Sequence, residues 1–393
     1  MIEVSLIQDI DELVTIRDEF DRFVTECGNA VPYCLTGWLE SMLVVWCRGR
    51  KCYTKPDNLA FLIARDNDRM VGLAPFLVEQ KRIEQLYLSR LYWLGDIDLP
   101  LLSVEEMDFL FIDNNYVEPC LRAFHHFLVN GRELDWDLLD LDKCVKSSSN
   151  LRYFAELFPK YDIVDNKVMS SKITLPGSFE EYLEQLPAKY RSDLRRCRKR
   201  LADNCSAIDF FSADNLSASI LAEIVRLHRN RQQEHIQKGQ DRYSLFDDSN
   251  GAKSFQKILD WSAGNGIARH YWLEVDGQMI ACALGFSFKK TYYGNLMAFD
   301  PSFKAYSPTK LLLLEIIKQE IEIHKTRSYD MGSGLNAVKK KLSTHFVPLV
   351  NIRIERPRSI SQAKLIWTKS LKSLNRNAPT YELIPIRPVL YKS

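Results

Sequence analysis

Two stretches of the chain, more than 200 residues apart, follow one pattern. Ala60-Phe-Leu-Ile-Ala-Arg-Asp runs through a turn into Met70-Val-Gly-Leu-Ala, and His270-Tyr-Trp-Leu-Glu-Val-Asp runs through a turn into Met279-Ile-Ala-Cys-Ala. Each pairs two apolar runs around an Asp-containing turn. Asp276-Gly277 in particular carries the residues that a two-residue hairpin turn selects. The order of elements around the hairpins also matches. Two helical stretches (9–26 and 35–48) precede the first, and a helix at 217–237 precedes the second. A strand and an apolar helix follow each, at 91–94 and 116–130, and at 291–299 and 307–325. Such a chain is expected to fold as two related α/β lobes, each a largely antiparallel sheet flanked by helices. A doubly wound parallel sheet is excluded. The expected bounds are 1–175, 176–358, and a C-terminal helix with an extended tail over 359–393.

Charge separates the two halves. Residues 1–170 hold 18 Lys/Arg against 29 Asp/Glu, whereas the remainder holds 35 against 22, within a total of +2. A basic half suits an anionic ligand, and it equally suits attraction between the lobes. The nine cysteines are odd in number and include no Cys-x-x-Cys, so neither a disulfide framework nor a zinc ribbon is expected. The first residues, Met-Ile-Glu-Val, lack the basic start and apolar stretch of a signal peptide. No apolar run reaches the length of a membrane span. A cytoplasmic protein is expected, with no metal; its oligomeric state is open.

Four groups of residues are candidates for chemistry. Ser307-Pro308-Thr309-Lys310 opens a helix with an N-cap residue and a first-turn Pro, and such an end presents backbone N–H groups to an anion. A plain capped core helix would read the same way. Gly332-Ser-Gly334-Leu-Asn-Ala337 matches the dinucleotide fingerprint, with Glu355 about 20 residues later. Too little chain follows Glu355 to complete that fold, so the match is set aside. Seven basic residues, among them Arg195, crowd positions 189–200. This density fits a phosphate-bearing ligand, an acidic neighbouring surface or simply a solvated face. Without interleaved aromatics it suits RNA less well. His228 lies on an amphipathic helix, Asp330 ends a strand beside two glycines, and Tyr292 and Tyr293 point to opposite sheet faces. No Gly-x-Ser-x-Gly elbow or His-x-x-x-His metal spacing is present, so covalent and metal mechanisms lack support.

The string Tyr292-Tyr-Gly-Asn, Phe299-Asp300-Pro301, Tyr306-Ser307-Pro308, Leu311-Leu312, then Asp330-Met-Gly332-Ser-Gly334 and Lys339, resembles the CelD/BioF2-like acetyltransferase family. That family belongs to the Gcn5-related N-acetyltransferase (GNAT) superfamily and is akin to the FemAB-type tandem-lobed transferases. The segment Lys189-Tyr-Arg-Ser-Asp-Leu-Arg-Arg and the stretch Val71-Gly-Leu-Ala-Pro75 resemble it too. Two positions depart from its pattern: Thr309 stands where Gly is usual after Ser-Pro, and Val338 where Tyr is usual before the Lys. The resemblance implies two GNAT-like lobes, the second catalytic. It also implies acyl transfer from acyl-CoA, probed most simply with acetyl-CoA, to an amine or hydroxyl of a small-molecule or saccharide acceptor. On that reading Ser307, Thr309, Lys310, Lys339 and Arg195 meet the anionic end of the donor. Asp330 or His228 is the base, and Tyr293 protonates the leaving thiolate. Transfer from aminoacyl-tRNA, and a non-enzymatic binding module in polysaccharide assembly, are the alternatives.

Overall fold

The computed structural model describes residues 2–41, 59–83, 86–94, 106–240, 244–357 and 363. Cys47, Cys52, the second half of the helix expected at 35–48, and the terminal helix and tail lie outside these.

The first half contains β1 (Ile2–Ile7), α1 (Ile10–Thr15), α2 (Arg17–Glu26), α3 (Thr36–Glu40), β2 (Leu59–Asp66), β3 (Arg69–Ile83), β4 (Leu86–Trp93), β5 (Leu110–Phe111), α4 (Val117–Asn130), β6 (Leu138–Val145) and α5 (Ser149–Glu156). A long strand, β7 (Tyr161–Thr174), leads into the second half. There follow α6 (Phe179–Gln185), α7 (Ala188–Ala202), β8 (Ile208–Ala213), α8 (Ala218–Gln237), α9 (Ser249–Gly264), β9 (Ala268–Val275), β10 (Gln278–Phe288), β11 (Thr291–Phe299), α10 (Pro308–Glu322), β12 (Ser328–Ser333), α11 (Lys339–Leu342) and β13 (His345–Glu355).

Local chemistry explains many of the boundaries. The Asp9 side chain accepts from the Glu12 N–H while the Glu12 carboxylate accepts from Gln8, closing a box at the start of α1. Ser178 and Glu181 do the same for α6, with Gly177 as the second donor. Between β12 and β13 lies the single helical turn of α11. There Asn336 Oδ1 accepts from the N–H groups of Val338 and Lys339, and from Ser343 the chain turns into β13. The short strands β1, β5 and β8 and the helix α9 are not legible as periodic runs.

All the described strands belong to one mixed sheet, in the order β1-β2-β3-β4-β6-β13-β7-β12-β11-β10-β9-β8, with β5 on β3. The order reads as the same arrangement twice. β1-β2-β3-β4 is followed by β6, which runs parallel to β4; β8-β9-β10-β11 is followed by β12, which runs parallel to β11. The last strand of each half is exchanged. β7 leaves the first half to pair with β12, and β13 leaves the second to pair with β6. The two exchanged strands then pair with each other, so the halves share one continuous sheet.

Both faces of this sheet are covered in the second half. Cys282, Leu284 and Phe286 pack on the face shared with the first half, under α8 and α9. Ala281 and Ala283 pack on the other face, under α6, α7 and α10. This explains why β10 reads as an unbroken apolar run although its side chains alternate. One close approach there is decided by a glycine. A Cβ on Gly285 would lie 2.3 Å from the Tyr292 ring, which packs edge-on against Tyr329 with centroids 4.9 Å apart. On the opposite face Trp38 of α3 is fully buried, edge-on to Phe286 at 4.9 Å and to Tyr33 at 4.7 Å. The loop before α3 is thereby fixed against β10 and β11.

Candidate active site

Register sets the site. Tyr293 on β11 stands opposite Asp330 on β12, Asp330 opposite Lys172 on β7, and Lys172 opposite His345 on β13. Directly paired residues project from the same face, so four titratable side chains form one row across four strands. Tyr292 and Tyr329, one position back, point the other way into the core.

The row lies where the sheet opens. β11 and β12 pair only over Thr291–Tyr293 and Ser328–Asp330, and beyond these residues their ladder stops. The register of β12 against β7 also shifts between Asp330 and Ser333. Gly332 takes a φ of 69° at this irregularity, a conformation that suits glycine, and its N–H donates to Asp330 Oδ1 at 2.8 Å. Gly334, at φ 79°, donates to Met169 O. Lys339 Nζ donates to the carbonyls of Gly332 and Ser333 at 3.0 and 2.7 Å, tying the loop down.

A cavity of about 760 Å³ occupies this opening between the two halves. The second half contributes Tyr293, Gly294, Asn295, Asp330 to Ser333 and Lys339, and β7 contributes Lys172. The first half contributes the loop from Gly28 to Tyr33, Glu106 and Asp108, and the turn around Ser148. Tyr33 packs edge-on against Tyr293 with centroids 5.9 Å apart.

The electrostatics centre on Lys172. Its ammonium lies 2.5 Å from Glu106 Oε2 and 3.4 Å from Asp330 Oδ2. Burial alone would lower the Lys172 pKa, but Asp330 and Glu106 together hold it above the usual lysine value. Burial pushes the Asp330 carboxyl up; Lys172 pulls it back, and the charge of Glu106 adds to the rise. The other Glu106 oxygen is buried with no hydrogen-bond partner among the described residues. Desolvation pushes the half-buried Asp108 up to about 6, although it accepts from Ser148 Oγ and the Phe109 N–H, both at 2.7 Å. Burial, and then the charge of Asp330, raise the Tyr293 phenol above its ordinary value, so it carries its proton at neutral pH.

Of the residues singled out in the sequence, Asp330, Tyr293 and Lys339 line this cavity. The others lie elsewhere. Ser307 adopts a left-handed conformation, φ 55°, and its hydroxyl makes no capping bond to α10. Thr309 is half-buried on the first turn of α10, and Lys310 pairs with Asp193 of α7 at 2.9 Å. Hydrogen bonds from Lys310 and Arg196 hold Asp193 down at about 2. Arg195 is exposed on α7, whose Tyr190, Leu194, Cys197 and Leu201 face the core. His228 is buried in α8, with Nδ1 2.8 Å from Ser244 Oγ and Nε2 3.2 Å from the Gln232 amide. Burial drives its pKa down to about 4, so it is neutral. Among the described residues no group of three or more His, Cys, Asp or Glu side chains is placed to hold a metal ion, and no helix is long and apolar enough to cross a membrane.

Glu106, Asp108 and Lys172 were not legible as site residues. β7 follows β6 in the chain, and only the strand exchange brings Lys172 beside Asp330. Glu106 and Asp108 follow no periodic signal.

Residues 188–340 match the acetyltransferase (GNAT) domain family. The matched segment contains α7, β11 and β12, and so Tyr293, Asp330 and Lys339. The match supports an acyltransferase. No curated protein matches the chain in sequence. Among solved structures, FemX superposes with a TM-score of 0.63 at 12% identity, over 95% of this chain and 99% of that one. A conserved Bacteroides thetaiotaomicron protein of unknown function gives 0.51 at 10%, over 91% and 100%. L-PGS from Bacillus licheniformis gives 0.50 at 12%, over 91% and 96%. At these identities the likeness is one of fold: a large mixed sheet flanked by helices, with tandem GNAT-like lobes.

Proposed function

We propose that the chain transfers an acyl group from an acyl thioester, an acyl-CoA, to an amine or hydroxyl of a small-molecule or saccharide acceptor held between the two halves. The observation that carries this reading is the opening of β11 from β12 beside a half-buried carboxylate and a half-buried phenol. Strand edges that have parted offer backbone N–H and C=O groups to an amide-bearing chain, as the pantetheine arm of CoA is. The cavity beside them is large enough for an acceptor.

Asp330 takes the proton of the attacking amine or hydroxyl, and burial makes it a stronger base than a solvated aspartate. The nucleophile attacks the thioester carbonyl, the C–S bond breaks, and the Tyr293 phenol returns a proton to the thiolate. His228, neutral and hydrogen-bonded in α8, is not needed as the base. Ser307, Thr309, Lys310, Lys339 and Arg195 remain the proposed contacts for the donor's anionic end. For Lys310 this requires a phosphate to compete with Asp193. The motif residues favour the CelD/BioF2-like branch, with lobes at 1–175 and 176–358.

A second reading, transfer from aminoacyl-tRNA, is favoured by α7, whose Arg195, Arg196, Arg198, Lys199 and Arg200 are all exposed, and by the fold shared with FemX. The experiment is thiol release from acetyl-CoA across a panel of amines and hydroxyl acceptors, run beside transfer from charged tRNA at rising salt. Acceptor-dependent release of CoA is expected. Transfer only from tRNA, lost steeply with salt, would establish the second reading instead. No transfer from either donor would leave the fold as a binding module.

A further inference from the structure

Asp330 and Lys172 stand directly opposite on neighbouring antiparallel strands, close enough for an intimate ion pair. A carboxylate in such a pair is a poor base, because the cation favours its ionised form. Yet the ammonium is not centred on Asp330. It lies 2.5 Å from Glu106 and 3.4 Å from Asp330. Glu106 reaches it from the first half of the molecule, across the boundary from Asp330, and its backbone adopts a left-handed φ of 61° while its N–H donates to Lys143 O. A non-glycine residue in that conformation is strained, and it persists only where the surroundings fix it.

We propose that Glu106 is a positioning residue: it draws the Lys172 ammonium away from Asp330 and so keeps the Asp330 carboxylate available to the acceptor's proton. The inference rests on the reading of Asp330 as the base. It adds that the first half of the chain completes the site in the second by placing one carboxylate.

Among the described residues, the charged and titratable groups facing Asp330 are few. Lys172 comes from β7, Tyr293 from β11 and Glu106 from the first half. Asp108 and Lys339 stand on the cavity wall, and exposed His345 lies beyond Lys172 on β13. Ser148 holds Asp108, two carbonyls hold Lys339, and His345 Nδ1 is 3.1 Å from Thr344 Oγ1. Glu106 and Lys172 are therefore the pair through which a substitution should act on Asp330.

The test is an NMR titration of the Asp330 carboxyl in the full chain labelled with carboxyl-13C aspartate, its signal identified by loss in Asp330→Asn. In Glu106→Gln the ammonium swings to Asp330 and a like charge disappears. The midpoint is expected to fall by about one pH unit, tenfold in proton affinity. In Lys172→Met it is expected to rise. Glu106→Asp retains the charge but loses the reach, and the midpoint is again expected to fall, which serves if Glu106→Gln does not fold. A midpoint that stays or rises in the Glu106 variants overturns the proposal. Full transferase activity in Asp330→Asn would instead overturn the assignment of the base, a failure the titration does not share.

Discussion

Asp330→Asn is expected to lower turnover by about 10²–10⁴-fold, the range over which positioned general bases contribute. The fold should survive. Asn preserves the shape of the side chain and can still accept from the Gly332 N–H, while Lys172 keeps Glu106 as its partner at 2.5 Å. Acceptor affinity should change little, because the loss falls on proton transfer. The measurements are kcat and KM for acetyl-CoA and the best acceptor, with thermal unfolding of the same preparation. A variant that turns over normally would remove Asp330 from the chemistry. One that unfolds many degrees lower would make the residue structural.

The largest loss of stability is expected at Glu320, on the far face of the sheet. Its side chain is fully buried in α10 and receives three groups: Tyr271 Oη at 2.6 Å, Arg269 Nη1 at 3.0 Å and Thr326 Oγ1. Burying a carboxylate is tolerable because these donors replace its water. Glu320→Ala strands the largely buried Arg269 guanidinium and two hydroxyls, and breaking such a pair costs about 3–5 kcal/mol. Glu320→Gln, which still accepts from Tyr271, should lose less. Equilibrium unfolding in urea checks both. A Glu320→Ala protein as stable as the parent would mean that water or a rearranged Arg269 replaces the network. Because Glu320 faces away from the cavity, the folded fraction should retain its activity.

Much of this organisation was legible in the sequence for identifiable reasons. The hairpins of β2–β3 and β9–β10 are written in alternating or continuous apolar runs around turn residues, and α1 and α6 are written in capping boxes. The turn between β10 and β11 is not: Lys289 and Lys290 both adopt positive φ without the Asn or Gly such turns favour. Lys289 is held there through its ammonium, which donates to Val24 O at 3.0 Å and to Cys27 O. That is a tertiary interaction no local pattern announces. The same holds for the site. Asp330 was found because it ends a strand beside two glycines, and Tyr293 because it sits mid-strand in the string Tyr292-Tyr-Gly-Asn. Lys172, Glu106 and Asp108 became visible only once the exchange of β7 and β13 was known. Exchange is a property of strand order, and a single sequence records strand content rather than strand neighbours. The charge separation was legible as well. Across the shared boundary it is partly spent on pairs such as Lys172 with Glu106 and Arg353 with Asp140.

In the proposed reaction the thioester donor binds along the parted edges of β11 and β12. Backbone hydrogen exchange of the full chain, with and without saturating CoA, tests it most directly. Protection on binding is expected to concentrate in residues 291–299 and 328–339. Protection confined to other segments, with these two unchanged, would contradict it.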